Sequence, residues 1–470
     1  MKRIALAALV ALAVTAPGAG SAAAGRSGAI TISPVVDVSR DQLSQNETPV
    51  AVNPANPSNM ITGANDWNYN DGCAVSATKD GGTTWTPTTP DGFLPGITKF
   101  TNDPLVAGTG AYDAGGDPTI AFSPNGKVAY FVCQAFNFTP PFDIALLLNR
   151  SYDGGFTWQK AGLIQISTFQ GNGTTSGSNG KFPDHENIHV DPVNGNVYVA
   201  WAEFSGNSHS PVYVAASHDQ GSTWTLNKVT TGNVKSNQDQ RVVTDPSGNA
   251  YLVFDNGVNG GKGLTVLYAS KSTDGGLTWG TPVQFAALTN PVCIFPTYCF
   301  NIAGGQFRAG GSYPAPAWDA AHNRLVVLIA DIRGLYAQMY VYALKPDLSL
   351  DYTTQVPGGF GDRFMGELST APNGRLDASF WDRSYSGNRL VDLTYATSSD
   401  GGHTWRQARV TPTGYDPSQW GVPRGVSDFR PFIGDYNGIA STNSFAAMTW
   451  TGVAPPQPYN LEIDFAKATP

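Results

Sequence analysis

Charge is scarce in this 470-residue chain: Asp, Glu, Lys and Arg together make up 14% of it. That excludes a coiled coil or a long solvated helix array, whose exposed faces need many Glu and Lys. The charges sum to −8. An acidic surface repels phosphate backbones, so nucleic acid is not an expected partner. Six histidines are scattered with no triad at metal-ligand spacing, and no metal or other cofactor is assigned. Cysteine occupies four positions, with no CxxC pair of the kind that holds structural zinc. An apolar run that could span a bilayer, roughly 20 residues, is missing as well. The longest run, residues 4–15, follows Met1-Lys2-Arg3 and precedes Ala22-Ala23-Ala24. It has the make-up of a secretory signal peptide, so cleavage near Ala24 and export are expected. Residues 1–24 are read as this signal and 25–470 as a single domain.

Turn formers and aromatics are plentiful. The chain has 53 Gly and 33 Pro, with 41% hydrophobic and 11% aromatic residues. The apolar content excludes disorder, and the Gly and Pro content favours many short strands joined by turns. One eight-residue motif recurs five times, as in Ser151-Tyr152-Asp153-Gly154-Gly155-Phe156-Thr157-Trp158. The other copies are centred on Asp80, Asp219, Asp274 and Asp400. The Asp and Ser/Thr oxygens suit a tight turn that needs acceptors. The Gly supplies a positive φ, and the Trp covers the hairpin with apolar surface.

Trp85, Trp158, Trp224, Trp279 and Trp405, which close the motifs, lie 73, 66, 55 and 126 residues apart. The last gap is twice 63, so one unit lacks its motif. One more unit fits at each end, giving seven, with six as the alternative. Each unit reads as four short strands. The seventh, starting at 432–435 and ending at 461–465, is one strand short. Residues 30–38 resemble the fourth strands elsewhere and are expected to pair with 461–465. The fold class is therefore all-β: a seven-bladed β-propeller of four-stranded antiparallel blades, closed by the N-terminal strand.

In this motif the chain resembles the Asp-box, or BNR-repeat, proteins of the sialidase superfamily. The resemblance implies boxes between third and fourth strands, on the face away from any active site. It makes Asp80, Asp153, Asp219, Asp274 and Asp400 structural. Export favours disulfides. Cys293 and Cys299 enclose a short loop and are expected to pair. Cys73 and Cys133 fall at the same end of neighbouring blades and are expected to form the second bridge.

The face opposite the boxes gathers the segments leading into first strands and the second-to-third links. Charged residues concentrate there. The resemblance implies an arginine cluster for a substrate carboxylate, with Arg241, Arg363 and Arg430 as candidates and Arg308 beside them. It also implies a tyrosine nucleophile, for which Tyr436 in Gly434-Asp435-Tyr436-Asn437-Gly438 is the candidate. Glu186 or Glu203 would activate it, and Asp117 or Asp184 would serve as acid/base. Glu47-Thr48-Pro49 stands where that family has Arg-Ile-Pro, and this reversed charge disfavours a sialic acid carboxylate. The expected activity is a glycoside hydrolase of exo-sialidase type acting on an extracellular glycan, as a monomer. The alternative is a non-catalytic propeller that binds glycan or protein.

Overall fold

The computed structural model describes residues 28–40, 44–67, 72–88, 93–101, 103, 105–138, 140, 142–168, 181–205, 209–256, 265–289, 301–302, 305–306, 313–420, 422–424, 428–430, 432–454 and 460–470. The expected signal peptide, the Cys293–Cys299 pair and Arg308 lie outside the described residues. No helix among the described residues is long and apolar enough to cross a membrane.

Seven antiparallel sheets follow one another along the chain. Blade 1 comprises Val50–Val52, Met60–Asp66, Gly72–Thr78 and Thr86–Pro87, with Gln45–Asn46 extending its inner edge. Blades 2 to 6 begin at Ala114–Phe122, Lys181–Val190, Asn237–Thr244, Ala315–Asp319 and Arg363–Thr370. Each adds its next three strands in sequence order. Middle strands are buried on both faces because a blade packs on either side. In Val197–Ser205 the run from Val197 to Ala202 is inaccessible to solvent. That is why these strands read as continuous apolar runs instead of alternating. Outer strands such as Leu350–Gln355 alternate exposed and half-buried.

Blade 7 comprises Gly438–Ser441, Ala446–Val453 and Leu461–Thr469. The N-terminal segment supplies its missing strand. Thr31 and Ile32 pair with Thr469 and Ala468, and Val36 and Asp37 pair with Phe465 and Asp464. The expected first strand at 432–435 is displaced to Gly438–Ser441. Gly434 is left-handed (φ 86°), and the Asp435 N–H donates to the Glu47 carboxylate of blade 1. The chain therefore crosses the channel mouth before it joins the ladder. Arg430 belongs instead to a separate short hairpin, Val422–Arg424 with Asp428–Arg430.

All five repeated motifs close the hairpin from third to fourth strand, and their bonding is the same. In blade 2, Ser151 Oγ and Thr157 Oγ1 donate to the two Asp153 oxygens (2.8 and 2.7 Å), and the Thr157 N–H donates to Oδ1 (2.9 Å). The second Gly of each motif presses on the preceding blade. A Cβ on Gly82 would strike the Phe465 ring of blade 7, on Gly155 the Ile61 side chain of blade 1, and on Gly276 the Tyr198 ring of blade 3. The motifs are thus both turns and inter-blade contacts. The fifth blade uses a turn in which Asp347 accepts from the Ser349 N–H and hydroxyl.

Two predictions follow from these features. Asp153→Ala leaves the Phe156 and Thr157 N–H groups without their carboxylate acceptor and should cost about 1–2 kcal/mol in urea unfolding; an unchanged midpoint would contradict the role given to the motif. The second concerns the closing seam, where burial pushes Asp464 up to about 7, the Tyr415 hydroxyl bond lowers it and Asp37 raises it. The acid is easier to ionise unfolded than folded, so its contribution becomes unfavourable as pH rises from about 4 to 7. Asp464→Asn should raise the melting temperature at pH 8 and leave it nearly unchanged at pH 4. An equal shift at both pH values would exclude this.

Candidate functional site

The site begins with a backbone device repeated from blade to blade. A non-glycine residue in the left-handed region stands where the chain enters the innermost strand: Glu47 (φ 58°), Asp117 (55°), His185 (55°), Asp239 (61°) and Met365 (49°). In blades 2, 3, 4 and 6 the pairing register shifts at this point. An extra residue there re-aims its side chain out of the ladder, as bulges near functional sites do.

These residues link successive blades around half of the channel mouth. The Asp435 N–H donates to Glu47 Oε1 (3.1 Å), and Asn65 Nδ2 donates to Glu47 Oε2 (2.7 Å). Asn65 Oδ1 accepts the Asp117 N–H (2.8 Å), and Asp117 Oδ2 accepts the His185 N–H (3.0 Å). His185 Nδ1 lies 2.7 Å from Asp239 Oδ1. Asp239 in turn shares a carboxyl–carboxyl hydrogen bond with Asp255. The chain thus runs from blade 7 through blades 1, 2 and 3 to blade 4.

Two cavities meet here. The mouth pocket, about 170 Å³, has the acids Glu47, Asp66, Asp117, Asp184 and Asp435 in its lining, and no described lining residue is Lys or Arg. Trp67, Phe136, Phe182, Phe432 and Tyr436 supply aromatic walls. Behind it lies a central-channel cavity of about 230 Å³. His185 and Tyr436 line both. Their rings stack, with centroids 5.3 Å apart and planes 10° from parallel, and form the wall between the cavities.

The expected residues fall as follows. Asp117 and Asp184 line the mouth pocket. The buried Tyr436 hydroxyl donates to the Pro118 carbonyl (2.8 Å) rather than to a glutamate. Burial, then the charges of Glu47, Asp117 and Glu186, hold it well above the ordinary tyrosine range. Glu186 is buried with neither carboxyl oxygen in a well-formed hydrogen bond. Burial, then Asp117, pushes its pKa well up, although backbone N–H groups of its own residue and of Gln134 pull the other way. A protonated Glu186 is a donor, not a base for Tyr436. Glu203 pairs with Lys181 (3.0 Å). Arg241 spans the channel to grip Glu367 of blade 6 with both terminal nitrogens, one at 2.8 Å. Arg363 pairs with Asp382 (2.8 Å) and lies over the Phe380 ring. Only the backbone of Arg430 is among the described atoms. The sequence alone reads His185 as a satisfied channel histidine and does not show its link to Asp239. The available signal was the recurrence of Asp117, His185 and Asp239 just before successive first strands.

No protein-family model matches the chain, and no curated protein matches it. Among solved structures it is similar to a protein of unknown function from Dyadobacter fermentans, at 12% identity and TM-score 0.50, over 94% of this chain and 99% of that one. It is also similar to a leech intramolecular trans-sialidase (11% identity, TM-score 0.48, 78% of this chain and 70% of that one). A third is an α-L-arabinofuranosidase from Fusarium graminearum (15%, 0.44, 75% and 92%). At these identities the likeness speaks to the propeller fold alone.

The Cys73–Cys133 bridge joins blades 1 and 2 (Cα–Cα 6.6 Å) directly behind the pocket. A Cβ on Gly115, which lines the pocket, would lie 3.1 Å from the Cys73 sulfur, and Cys73 is the ladder partner of Asn65. Cys133→Ala opens a loop of 60 residues and should cost about 2–4 kcal/mol of stability. Peptide mapping of unreduced protein should return the Cys73–Cys133 cross-link; two free thiols would remove it.

Proposed function

We propose that this chain is an exported glycoside hydrolase with a sialidase-like propeller fold, and that its mouth pocket takes a sugar without a carboxylate. The observation that carries this reading is the pocket lining. Several carboxyls face aromatic walls in a partly enclosed cavity, and its described lining residues include neither Lys nor Arg. Hydrolysis of a glycosidic bond needs one carboxyl to protonate the leaving oxygen and another to support positive charge at the anomeric carbon. Asp117 and Asp184, on adjacent blades, are our candidates for these roles. An acid lining repels a carboxylate ligand and tolerates a neutral ring stacked on Trp67 or Phe182. Arg241 and Arg363 already hold Glu367 and Asp382, which supports assigning them to the propeller and not to a carboxylate clamp.

The alternative is a propeller that binds glycan without cleaving it. The commitment of the Tyr436 hydroxyl to a backbone carbonyl favours it.

A panel of fluorogenic glycosides separates these readings. Neutral glycosides should be turned over and sialosides at least tenfold less. Asp117→Asn and Asp184→Asn should each lower kcat by about 10²-fold or more with ligand affinity retained. Arg430→Ala should leave kcat/KM for neutral glycosides unchanged. A sialoside preference that Arg430→Ala abolishes would restore the carboxylate clamp. Sugar binding with no turnover of any glycoside would select the non-catalytic reading.

A further inference from the structure

We propose that His185 is the proton-accepting group of the mouth pocket and that Asp239 and Asp255 are its positioning residues. This rests on the hydrolase reading above and extends it to a residue outside the carboxyl pair.

The placement of His185 is over-determined. Its left-handed backbone sits at the blade 3 bulge, and its N–H is fixed on Asp117. The ring is stacked on Tyr436 and meets Tyr313 edge-on at 4.9 Å, 87°. Its side chain is 9% exposed, yet it lines both cavities. With Nδ1 2.7 Å from Asp239 Oδ1, the neutral ring carries its hydrogen on Nδ1. That leaves the Nε2 lone pair for a ligand or water.

The partner's charge state depends on its own neighbour. Asp239 and Asp255 are buried within hydrogen-bond reach of each other, and two carboxyls so close share one proton. In the proposed relay Asp255 keeps that proton, and Asp239 accepts from the imidazole Nδ1–H. The dyad therefore carries one charge, which suits an imidazolium that forms during the reaction. Burial first, and Arg241 next among the lowering influences, hold His185 below the ordinary histidine range, while Asp117, Asp435 and Asp184 raise it. The ring is thus neutral at pH 7 and ready to accept.

In the step, the water oxygen bonds to the anomeric carbon and the glycosidic C–O bond breaks, its electron pair leaving with the departing oxygen. A pocket carboxyl protonates that oxygen. The proton lost by water goes to Nε2, while the Nδ1 hydrogen stays on Asp239. Exchange with solvent resets both groups.

The test uses full-length wild type with His185→Gln, Asp239→Asn and Asp255→Asn. His185→Gln should retain ligand affinity and lose about 10²-fold or more in kcat. Asp239→Asn removes the carboxyl acceptor of the Nδ1 hydrogen and so weakens the hold on the imidazolium, and the acid limb of the kcat–pH profile should move to lower pH. Asp255→Asn, nearly isosteric, should move the same limb less. Nitrogen-15 NMR of labelled histidine, assigned by loss of one signal in His185→Gln, should show a neutral Nδ1–H ring at pH 7. Turnover in wild type with the limb unmoved in the variants, or kcat per folded molecule unchanged in His185→Gln, would overturn this proposal and leave the hydrolase standing. Absence of turnover on the whole panel would overturn both. An Nε2–H ring would overturn the relay whatever the panel shows.

Discussion

Everything in this molecule depends on closing a ring. A blade that buries both faces has no stable shape without two neighbours, so seven blades are stable only when the seventh meets the first. The seventh is a strand short until the N-terminal segment pairs with Leu461–Thr469. Closure buries the two outward blade faces that an open array would expose, and the N-terminal segment covers the edge strand Leu461–Thr469. It also creates the site. Thr449 of blade 7 donates to the Thr48 carbonyl of blade 1, Glu47 caps the Asp435 N–H, and Tyr436 reaches past blade 1 to Pro118 of blade 2. The mouth pocket straddles the seam, so its geometry is a property of the closed ring and not of any one blade.

The seam and the mouth both concentrate buried acids. Burial raises the energy of each carboxylate, and neighbours of like charge raise it further. The fold handles this in two ways. The motif aspartates on the far face stay near water and are held ionised; the Thr278 hydroxyl and N–H hold Asp274 at about 2. Glu186, Asp239, Asp255 and Asp464 are shifted the other way and hold protons more tightly. One end of the propeller thus carries stable charge for turns. The other gathers carboxyls whose charged form burial disfavours.

The architecture was legible because it is periodic. Tryptophans recurring near multiples of 63 count the units, and a seventh unit with three strands demands a donor strand. The first strand of blade 7 was misplaced because Gly434 adopts a left-handed backbone and Glu47 captures the next N–H, a contact across 388 residues. The site was legible in position but not in pairing. Charges before the first strands do gather at the mouth, and Asp117 and Asp184 line the pocket. Arg241, however, finds Glu367, 126 residues away, and that choice depends on the distance across the channel, which no local pattern encodes. The partner of His185 was illegible for the same reason, since Asp239 lies 54 residues on, in the next blade.

The closing strand also sets an order of events in time. Thr31 is among the first residues of the domain to be made, and its partner Thr469 among the last. Until the last strand of blade 7 has been made, the N-terminal strand has no ladder to join, and blade 1 lacks its neighbour on the blade 7 side. Pairings this distant in sequence are slow to form, so joining the two ends of the propeller carries a high cost in loop closure. A chain of six finished blades is therefore still an open spiral with two uncovered blade faces. Until the ring closes, that open form is exposed to wrong pairing.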